Sequence, residues 1–190
     1  MPLMLSQDSS ADELLDRDPL ALLLGMLLDQ QVPMERAFAA PYQLRQRLGH
    51  DLDVYELADY DPDALAQLFA APPALHRYPK SMAVRVQDLC RSLVKCYGGD
   101  AAALWRDVSD ARELLDRLVA LPGYGKQKAQ IFLALLGKQR NVRPTGWREA
   151  AGPYGDEGVY RSVADLTDAD SLARVREYKQ QVKAAAKAKK

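Results

Sequence analysis

Residues 121–125, Leu-Pro-Gly-Tyr-Gly, constrain the fold more than any other part of the chain. They lie between two segments, about 111–120 and 126–137, whose apolar residues recur at helical spacing. Two glycines one residue apart allow positive φ angles and a close approach to another molecule. The N–H groups that begin the second helix then point into the turn, where they suit one phosphate oxygen. The phosphate-binding candidates are Leu121, Pro122, Gly123, Tyr124, Gly125, Lys126 and Lys128.

The two lysines of this hairpin lie in the first turn of the second helix, where positive charge opposes the helix dipole. A bound phosphate would remove that conflict. The alternative is an ordinary corner between two helices with a glycine C-cap. The spacing of the two glycines favours the phosphate-binding helix-hairpin-helix.

The rest of the sequence predicts an all-α fold, because no segment alternates apolar and polar residues over a strand length. Only residues 1–6 suggest a short extended piece. Residues 20–28 are apolar nearly all round, which predicts a central, buried helix. Caps, prolines and glycines predict the other helices over about 33–49, 62–69, 81–97, 110–120 and 126–137, and from 168 onward.

The formal net charge of the 190 residues is zero, so any basic surface must be local. The end of the chain is the most asymmetric part, with one acid, Glu177, among many bases. This tail is either a solvated helix end or a tether that adds non-specific phosphate contacts. The bases are Arg174, Arg176, Lys179, Lys183, Lys187, Lys189 and Lys190.

The two cysteines, Cys90 and Cys96, cannot by themselves hold a structural zinc or an iron–sulfur cluster. We expect reduced thiols and no cofactor of that kind. Residues 20–28 are too few to span a bilayer. These features predict a soluble cytoplasmic protein that has no membrane partner.

The hairpin, residues 121–129, resembles the Leu-Pro-Gly-Val-Gly-x-x-x-Ala motif of the helix-hairpin-helix (HhH-GPD) DNA glycosylase superfamily, which includes endonuclease III and the adenine-specific mismatch glycosylase. Residues 22–31, LLLGMLLDQQ, resemble the buried helix of that family and the glutamine that follows it. Residues 80–83 are a weaker match to a Lys-Ala turn. Together the matches cover about residues 19–147, in family order, and suggest a short actinobacterial-type relative.

The resemblance implies a two-lobed helical fold with a cleft for an extruded base. The expected lobes are residues 20–137, which form the central bundle, and residues 1–19 with 138–190. It also implies that Gln31 fills the gap left by the flipped base, and that duplex DNA is the partner. In the family the hairpin often binds a monovalent cation, so the backbones of Leu121, Gly123 and Gly125 are candidate ligands.

Two departures from the family pattern concern the chemistry. The nucleophilic lysine of bifunctional members corresponds to Gln127, which predicts no Schiff-base lyase activity. The family aspartate beyond the hairpin corresponds to Pro144 or Thr145, and neither is a carboxylate. The iron–sulfur cysteines are missing as well.

Another group must therefore stabilise the sugar cation and activate water. Asp29, two residues before Gln31, is our first catalytic candidate, and an exposed residue at a helix end is its alternative. Glu35 is less favoured, because an acid suits the first turn of a helix anyway. The further catalytic candidates are Glu149, Asp156, Glu157 and His76, and the candidates for stacking on a base are Trp147, Tyr154 and Tyr160. For each of these residues a surface, capping or packing role is the alternative.

The sequence therefore predicts a monomeric base excision repair protein that acts as a monofunctional DNA glycosylase. Two alternatives stay open. One is a lesion- or structure-binding protein of the same fold that has lost the chemistry. The other is a helical interaction domain that binds no DNA.

Overall fold

The computed structural model describes residues 2–189, so Met1 of the predicted extended piece and Lys190 of the basic tail lie outside the described residues. Within this range the chain is helical and contains no strand, which confirms the predicted all-α class. The helices are α1 Ser9–Arg17, α2 Pro19–Leu28, α3 Met34–Leu48, α4 Val54–Asp59, α5 Pro62–Ala70, α6 Pro79–Tyr97, α7 Ala111–Val119, α8 Lys126–Gln139, α9 Trp147–Ala150 and α10 Ala169–Ala188.

Helix α2 forms the centre of the protein, as its uniformly apolar sequence predicted. Every residue from Leu20 to Leu28 is buried. The side chain of Asp18 accepts a hydrogen bond from the N–H of Leu20 at 2.9 Å and caps the helix. Each large apolar side chain of α2 contributes about 1.5–3 kcal/mol by its burial. The helix packs against α1, α3 and α6 and is therefore surrounded by protein.

Most predicted helix ends agree with the structure to within one or two residues. Gly49 and Gly98 end α3 and α6 in the left-handed conformation, with φ angles of 81° and 58°. Asp168 begins α10 through a reciprocal hydrogen-bonded cap with Ser171.

The sequence analysis missed three short helices, α1, α4 and α9, although Asp8 and Asp53 cap the first two. The short extended piece at the N-terminus is not a strand. Carboxylates of α1 bind its backbone instead: Asp16 accepts from the N–H of Leu3, and Asp12 accepts from that of Leu5. The apolar side chains of Leu3 and Leu5 are thereby buried against the bundle.

The hairpin between α7 and α8 packs directly on α2. Gly123 has a φ angle of 81°, and a Cβ atom at this position would overlap with Cδ1 of Leu27. The ring of Tyr124 is buried and lies edge-on to Phe132, with 6.1 Å between the ring centroids. The hairpin is therefore held by the same helix that leads to Gln31.

The segment after the hairpin folds back onto α8. Trp147 lies over Gly137, where a side chain would overlap with the indole ring. The buried carboxylate of Asp165 binds Lys138 of α8 at 2.5 Å. In the described part of the chain, no helix combines the length and apolar character needed to cross a membrane.

Candidate functional site

Residues 29–33, named here the Gln31 turn, connect α2 to α3. The Gln31 side chain is exposed, and its backbone has a φ angle of 56°, in the left-handed region. This conformation is uncommon for a residue other than glycine, asparagine or aspartate, and costs on the order of 1 kcal/mol. Such a turn persists only when the surrounding structure holds it. Contacts from several helices and one loop do so.

The side chain of His76 binds the backbone at the start of the Gln31 turn. Its Nε2 atom lies 2.9 Å from the carbonyl oxygen of Gln30 and 3.1 Å from that of Leu28. Because both partners are acceptors, Nε2 carries the proton. Nδ1 then accepts the N–H of Tyr78 at 3.0 Å, so the ring is neutral. Burial lowers the pKa of His76, in agreement with this state. Both ring nitrogens are engaged, which opposes the predicted water-activating role and makes His76 a structural residue.

Arg85 and Lys128 bind the other polar groups of the turn. The guanidinium group of Arg85 donates to the side-chain oxygen of Gln30 at 2.7 Å. Lys128 Nζ donates to the carbonyl oxygen of Leu27 at 2.8 Å and lies 3.4 Å from that of Asp29. Burial lowers the pKa of Lys128 to about 8. The Lys128 side chain is therefore engaged at the end of α2, whereas we had predicted a phosphate contact for it.

Asp29 is a buried acid, not the exposed residue of the alternative interpretation. Only 8% of its side chain is exposed, and Lys179 Nζ of α10 lies 3.9 Å from Oδ2. Burial raises the pKa of the Asp29 carboxyl group above its ordinary value, and the charges of Lys179 and Lys128 partly oppose that rise. The structure thus places a buried carboxyl group, with the ammonium group of Lys179 close to it, two residues before Gln31.

The N-terminus of α8 is open towards solvent. Gly125 occupies the N-cap position, and none of the described side chains caps the helix there. The first N–H groups of any helix have no acceptor within the helix, and they carry the positive end of its dipole. Gly125 and Lys126 are both exposed. This end of α8 therefore has the free donors and the charge that a phosphate requires.

Leu121 and Tyr124 belong to the core, since each is only 4% exposed. They were predicted among the phosphate-binding residues, but their side chains face inward and only their backbones lie at the hairpin. The carbonyl oxygens of Leu121 and Gly125 each accept one backbone N–H and keep a second lone pair. Each of these carbonyl oxygens therefore keeps the capacity to accept a further contact. No group of three or more His, Cys, Asp or Glu side chains within residues 2–189 forms a metal site.

Two of the predicted base-stacking aromatic residues are already covered by other side chains. Trp147 is buried, and the guanidinium group of Arg148 lies 4.4 Å from its ring centroid. The guanidinium group of Arg174 lies 4.7 Å from the ring centroid of Tyr160. Trp147 is thus a packing residue, which corrects its predicted role in the base pocket.

Tyr154 lies next to the position that corresponds to the family lysine. Its hydroxyl group accepts a hydrogen bond of 2.8 Å from Nε2 of Gln127. This hydrogen bond connects Tyr154 to the first turn of α8. It therefore stays a candidate for the base pocket.

The three predicted candidate acids downstream of the hairpin, Glu149, Asp156 and Glu157, are exposed. Asp156 pairs with Arg161 at 2.7 Å, and Glu157 pairs with Arg148. Glu149 lies on a groove of about 370 Å³ between α7, α8 and α9 that also includes Lys126 and Gln130. Glu149 therefore remains a second catalytic candidate, whereas Asp156 and Glu157 form surface ion pairs.

Thr145 is, with Pro144, one of the two residues predicted to correspond to the family aspartate. Its N–H donates to the carbonyl oxygen of Ser109 at 2.8 Å, and its carbonyl oxygen accepts from Ala111 at 3.0 Å. The residue is therefore fixed by its backbone and offers no carboxylate. Of the two cysteines, Cys90 is buried, which raises its pKa to about 12, and Cys96 is exposed.

Sequence reasoning missed three basic residues that contact the Gln31 turn or the helix after it: Arg85, Arg176 and Lys179. The latter two belong to the tail that we had described only as a solvated end or a tether. Their three-residue spacing, which puts both on one helix face, was the available signal. Their acidic partners could not be identified without the tertiary structure.

Comparison with known proteins identifies the family. No curated protein matches the chain significantly. A family model described as HhH-GPD superfamily base excision DNA repair protein matches residues 24–188, which include the Gln31 turn, the hairpin and all of α10. Because this match covers most of the chain, the protein belongs to the HhH-GPD superfamily of base excision DNA repair proteins.

Proposed function

We propose that this protein is a monofunctional DNA glycosylase that removes a damaged or mismatched base from duplex DNA. The observation that carries the proposal is the buried carboxylate of Asp29, two residues from the exposed Gln31. A glycosylase needs a group that enters the base stack and an acid close to the sugar of the extruded nucleotide. The Gln31 turn supplies both within three residues.

The proposed reaction is hydrolysis of the N-glycosidic bond. The bond between the base and C1′ breaks as positive charge develops on the sugar, and a water oxygen bonds to C1′. The Asp29 carboxylate stabilises that charge and accepts the proton of the water, while the base leaves with the bonding electrons. A carboxyl pKa raised by burial suits this task, because a stronger base accepts the proton more readily.

DNA binding is assigned to the hairpin. The open N-terminus of α8 would receive one phosphate oxygen, with Gly125 and Lys126 beside it. A monovalent cation at the backbone of Leu121, Gly123 and Gly125 would add positive charge there. The cleft would lie between the two lobes that the sequence predicted, 20–137 and 1–19 with 138–190. We propose that a monomer acts on the DNA of the nucleoid, in the cytoplasm.

The test is incubation with duplexes that carry uracil, hypoxanthine, alkylated purines, oxidised guanine or mismatches. Strand cleavage should appear only after alkali, because a monofunctional enzyme leaves an abasic site. Asp29→Asn should lower the single-turnover rate about 100-fold or more, while Glu149→Gln tests the second acid. An absence of cleavage across the whole panel would contradict the enzyme proposal.

A binding protein without chemistry is the second candidate, and a specific contact favours it. Gln127, in place of the family lysine, is hydrogen-bonded to Tyr154. Neither it nor Thr145, which is fixed by its backbone, supplies the usual catalytic group. Tighter binding of abasic or mismatched duplexes than of intact DNA, without any release of base, would select this candidate.

A further inference from the structure

Two basic residues on one face of helix α10 form ion pairs at and beside the Gln31 turn. The helix is anchored by the buried side chains of Leu172 and Val175. Arg176 and Lys179, three residues apart, project from it towards the acids that flank the turn, Glu35 and Asp29. The first half of α10 is therefore packed on the protein and is not a solvated helix end. It contacts the two acids at and beside the Gln31 turn.

The two contacts bracket the turn. Arg176 pairs with the carboxylate of Glu35 on α3, and Lys179 Nζ lies 3.9 Å from Oδ2 of Asp29 at the end of α2. The second oxygen of Glu35, Oε2, is buried and has no hydrogen-bond partner among residues 2–189. In the described residues, the ion pairs of both acids are made with α10. Loss of the cation is costly when the carboxylate is buried.

Resting on the proposed function, we propose that Lys179 is a positioning residue of the site: it orients the Asp29 carboxylate for the reaction, while Arg176 fixes the Gln31 turn through Glu35. By this assignment α10 is part of the catalytic site. Lys179 does not touch the substrate. It acts through Asp29.

The charges around Asp29 support this division of roles. Lys128 of α8 is engaged with the carbonyl oxygens of Leu27 and Asp29, so it binds backbone. His76 is neutral, and Arg85 of α6 binds Gln30. Lys179 is thus the cation of the described residues that faces the carboxylate itself. Burial raises the pKa of Asp29, and the charges of Lys179 and Lys128 lower it. Without Lys179, only Lys128 would oppose the rise.

The first experiment measures the pKa of Asp29 in the DNA-free protein by carboxylate ¹³C NMR. Lys179→Gln should raise this pKa by about one unit, because a facing cation stabilises the ionised form. Lys179→Arg should keep it close to the wild-type value. The matched control is Lys183→Gln, one turn further along the same helix and exposed, which should leave the pKa unchanged.

The second experiment follows the single-turnover rate against pH on whichever duplex the wild-type protein cleaves. Lys179→Gln should shift the acid limb to higher pH, in the same direction as the NMR titration. Lys183→Gln should not shift it. A purely structural role of Lys179 would lower the rate at every pH without moving the limb, and that result would overturn the proposal.

The two proposals fail in different ways. An Asp29 pKa that is the same in Lys179→Gln and in wild type would overturn the positioning role, whatever the activity. If the wild type cleaves nothing while Lys179→Gln does raise the Asp29 pKa, the glycosylase proposal fails, and the electrostatic contact is real but serves no catalysis.

Arg176→Gln, with Arg174→Gln as its control, should increase amide exchange in residues 30–35. Equal exchange in the two variants would overturn the role of Arg176.

Discussion

The hydroxyl group of Tyr124 donates a hydrogen bond of 2.7 Å to the carbonyl oxygen of Leu23. Tyr124 lies in the hairpin, and Leu23 lies in the middle of α2. The bond is buried and joins parts of the chain that are 101 residues apart. Since α2 leads directly into the Gln31 turn, this contact helps to set the distance between the phosphate-binding end of α8 and Gln31.

Replacement of Tyr124 by phenylalanine should lower the free energy of unfolding by about 1 kcal/mol, because a buried hydrogen bond is lost. Denaturation with urea measures the effect. The control is Tyr55→Phe, which removes a hydroxyl group that donates to the carbonyl oxygen of Gly98 from an exposed position. Water replaces that bond, so we expect little change. Equal changes in the free energy of unfolding for the two substitutions would show that the buried Tyr124 bond stabilises the fold no more than the exposed Tyr55 bond does.

Replacement of Gly125 tests the phosphate site without disturbing the fold. Gly125 has a φ angle of −79°, and a Cβ atom there would meet no other atom within 4 Å. Gly125→Asp supplies a favourable N-cap but places negative charge where the phosphate binds. Relative to the uncharged Gly125→Asn, it should weaken duplex DNA binding roughly tenfold or more at low salt. Fluorescence anisotropy of a labelled duplex measures the affinity.

Gly123→Ala should behave differently from both variants. Its φ angle of 81° and the nearby Leu27 side chain make any larger residue strained, at a cost of roughly 1–3 kcal/mol. Stability and DNA binding should therefore fall together.

Equal DNA affinity of the Asp and Asn variants at Gly125, both of normal stability, would exclude a phosphate at this end of α8.

The two histidines should give opposite pH dependences of stability. Burial lowers the pKa of His76 below its ordinary 6.5, so the unfolded chain takes up the proton first. The stability due to a neutral His76 is full above pH 6.5 and is lost as the pH falls towards the folded pKa. The pKa of His50 is raised, chiefly by the backbone carbonyl of Asp51, so its contribution is full below pH 6.5 and is lost as the pH rises through the folded pKa.

Urea denaturation between pH 5 and 8 can separate these contributions. In a His50→Gln background, the free energy of unfolding should fall as the pH drops below 6.5. The additional substitution His76→Gln should lower the stability at pH 7.5 and remove most of that slope. An unchanged slope would mean that His76 is not held neutral by the carbonyl groups of the Gln31 turn.

Gln31 should be needed to open the base pair but not to bind DNA. With 2-aminopurine next to a lesion, wild-type protein should raise the fluorescence on binding, because unstacking relieves quenching. Gln31→Ala should bind with similar affinity and give little rise. Gln31→Gly should do the same and be at least as stable as Gln31→Ala, because glycine adopts a φ angle of 56° without strain. A full fluorescence rise in both variants would rule out insertion of Gln31.

Borohydride should not trap the protein on abasic DNA. Position 127 has no lysine, and Lys128, although its pKa is lowered to about 8, donates its Nζ protons to backbone carbonyl groups. Denaturing electrophoresis with a labelled strand should show free DNA after reduction. An adduct that disappears in Lys128→Gln would show that Lys128 leaves its carbonyl partners and forms an imine, contrary to the monofunctional assignment.

Local signals in the sequence determined the helices and the hairpin. The uniformly apolar residues 20–28 predicted a buried helix, because no face of it could be exposed to water. The glycines at 123 and 125 and the resemblance around them predicted the hairpin and the family, both of which are confirmed. The three short helices α1, α4 and α9 escaped prediction, because few turns give too little periodicity to detect.

Only the tertiary structure decided the roles of individual polar residues. Whether Asp29 is exposed or buried depends on α8 and α10, which pack over it from positions about 100 and 150 residues later in the chain. The same holds for His76 and Lys128, whose partners are backbone carbonyl groups that carry no sequence signature. Periodicity and turn residues thus gave a helical fold with a hairpin, and the resemblance to a known family gave its link to DNA repair. The burial and pairing of its acids and bases arise from long-range packing, and these decide which of them can act.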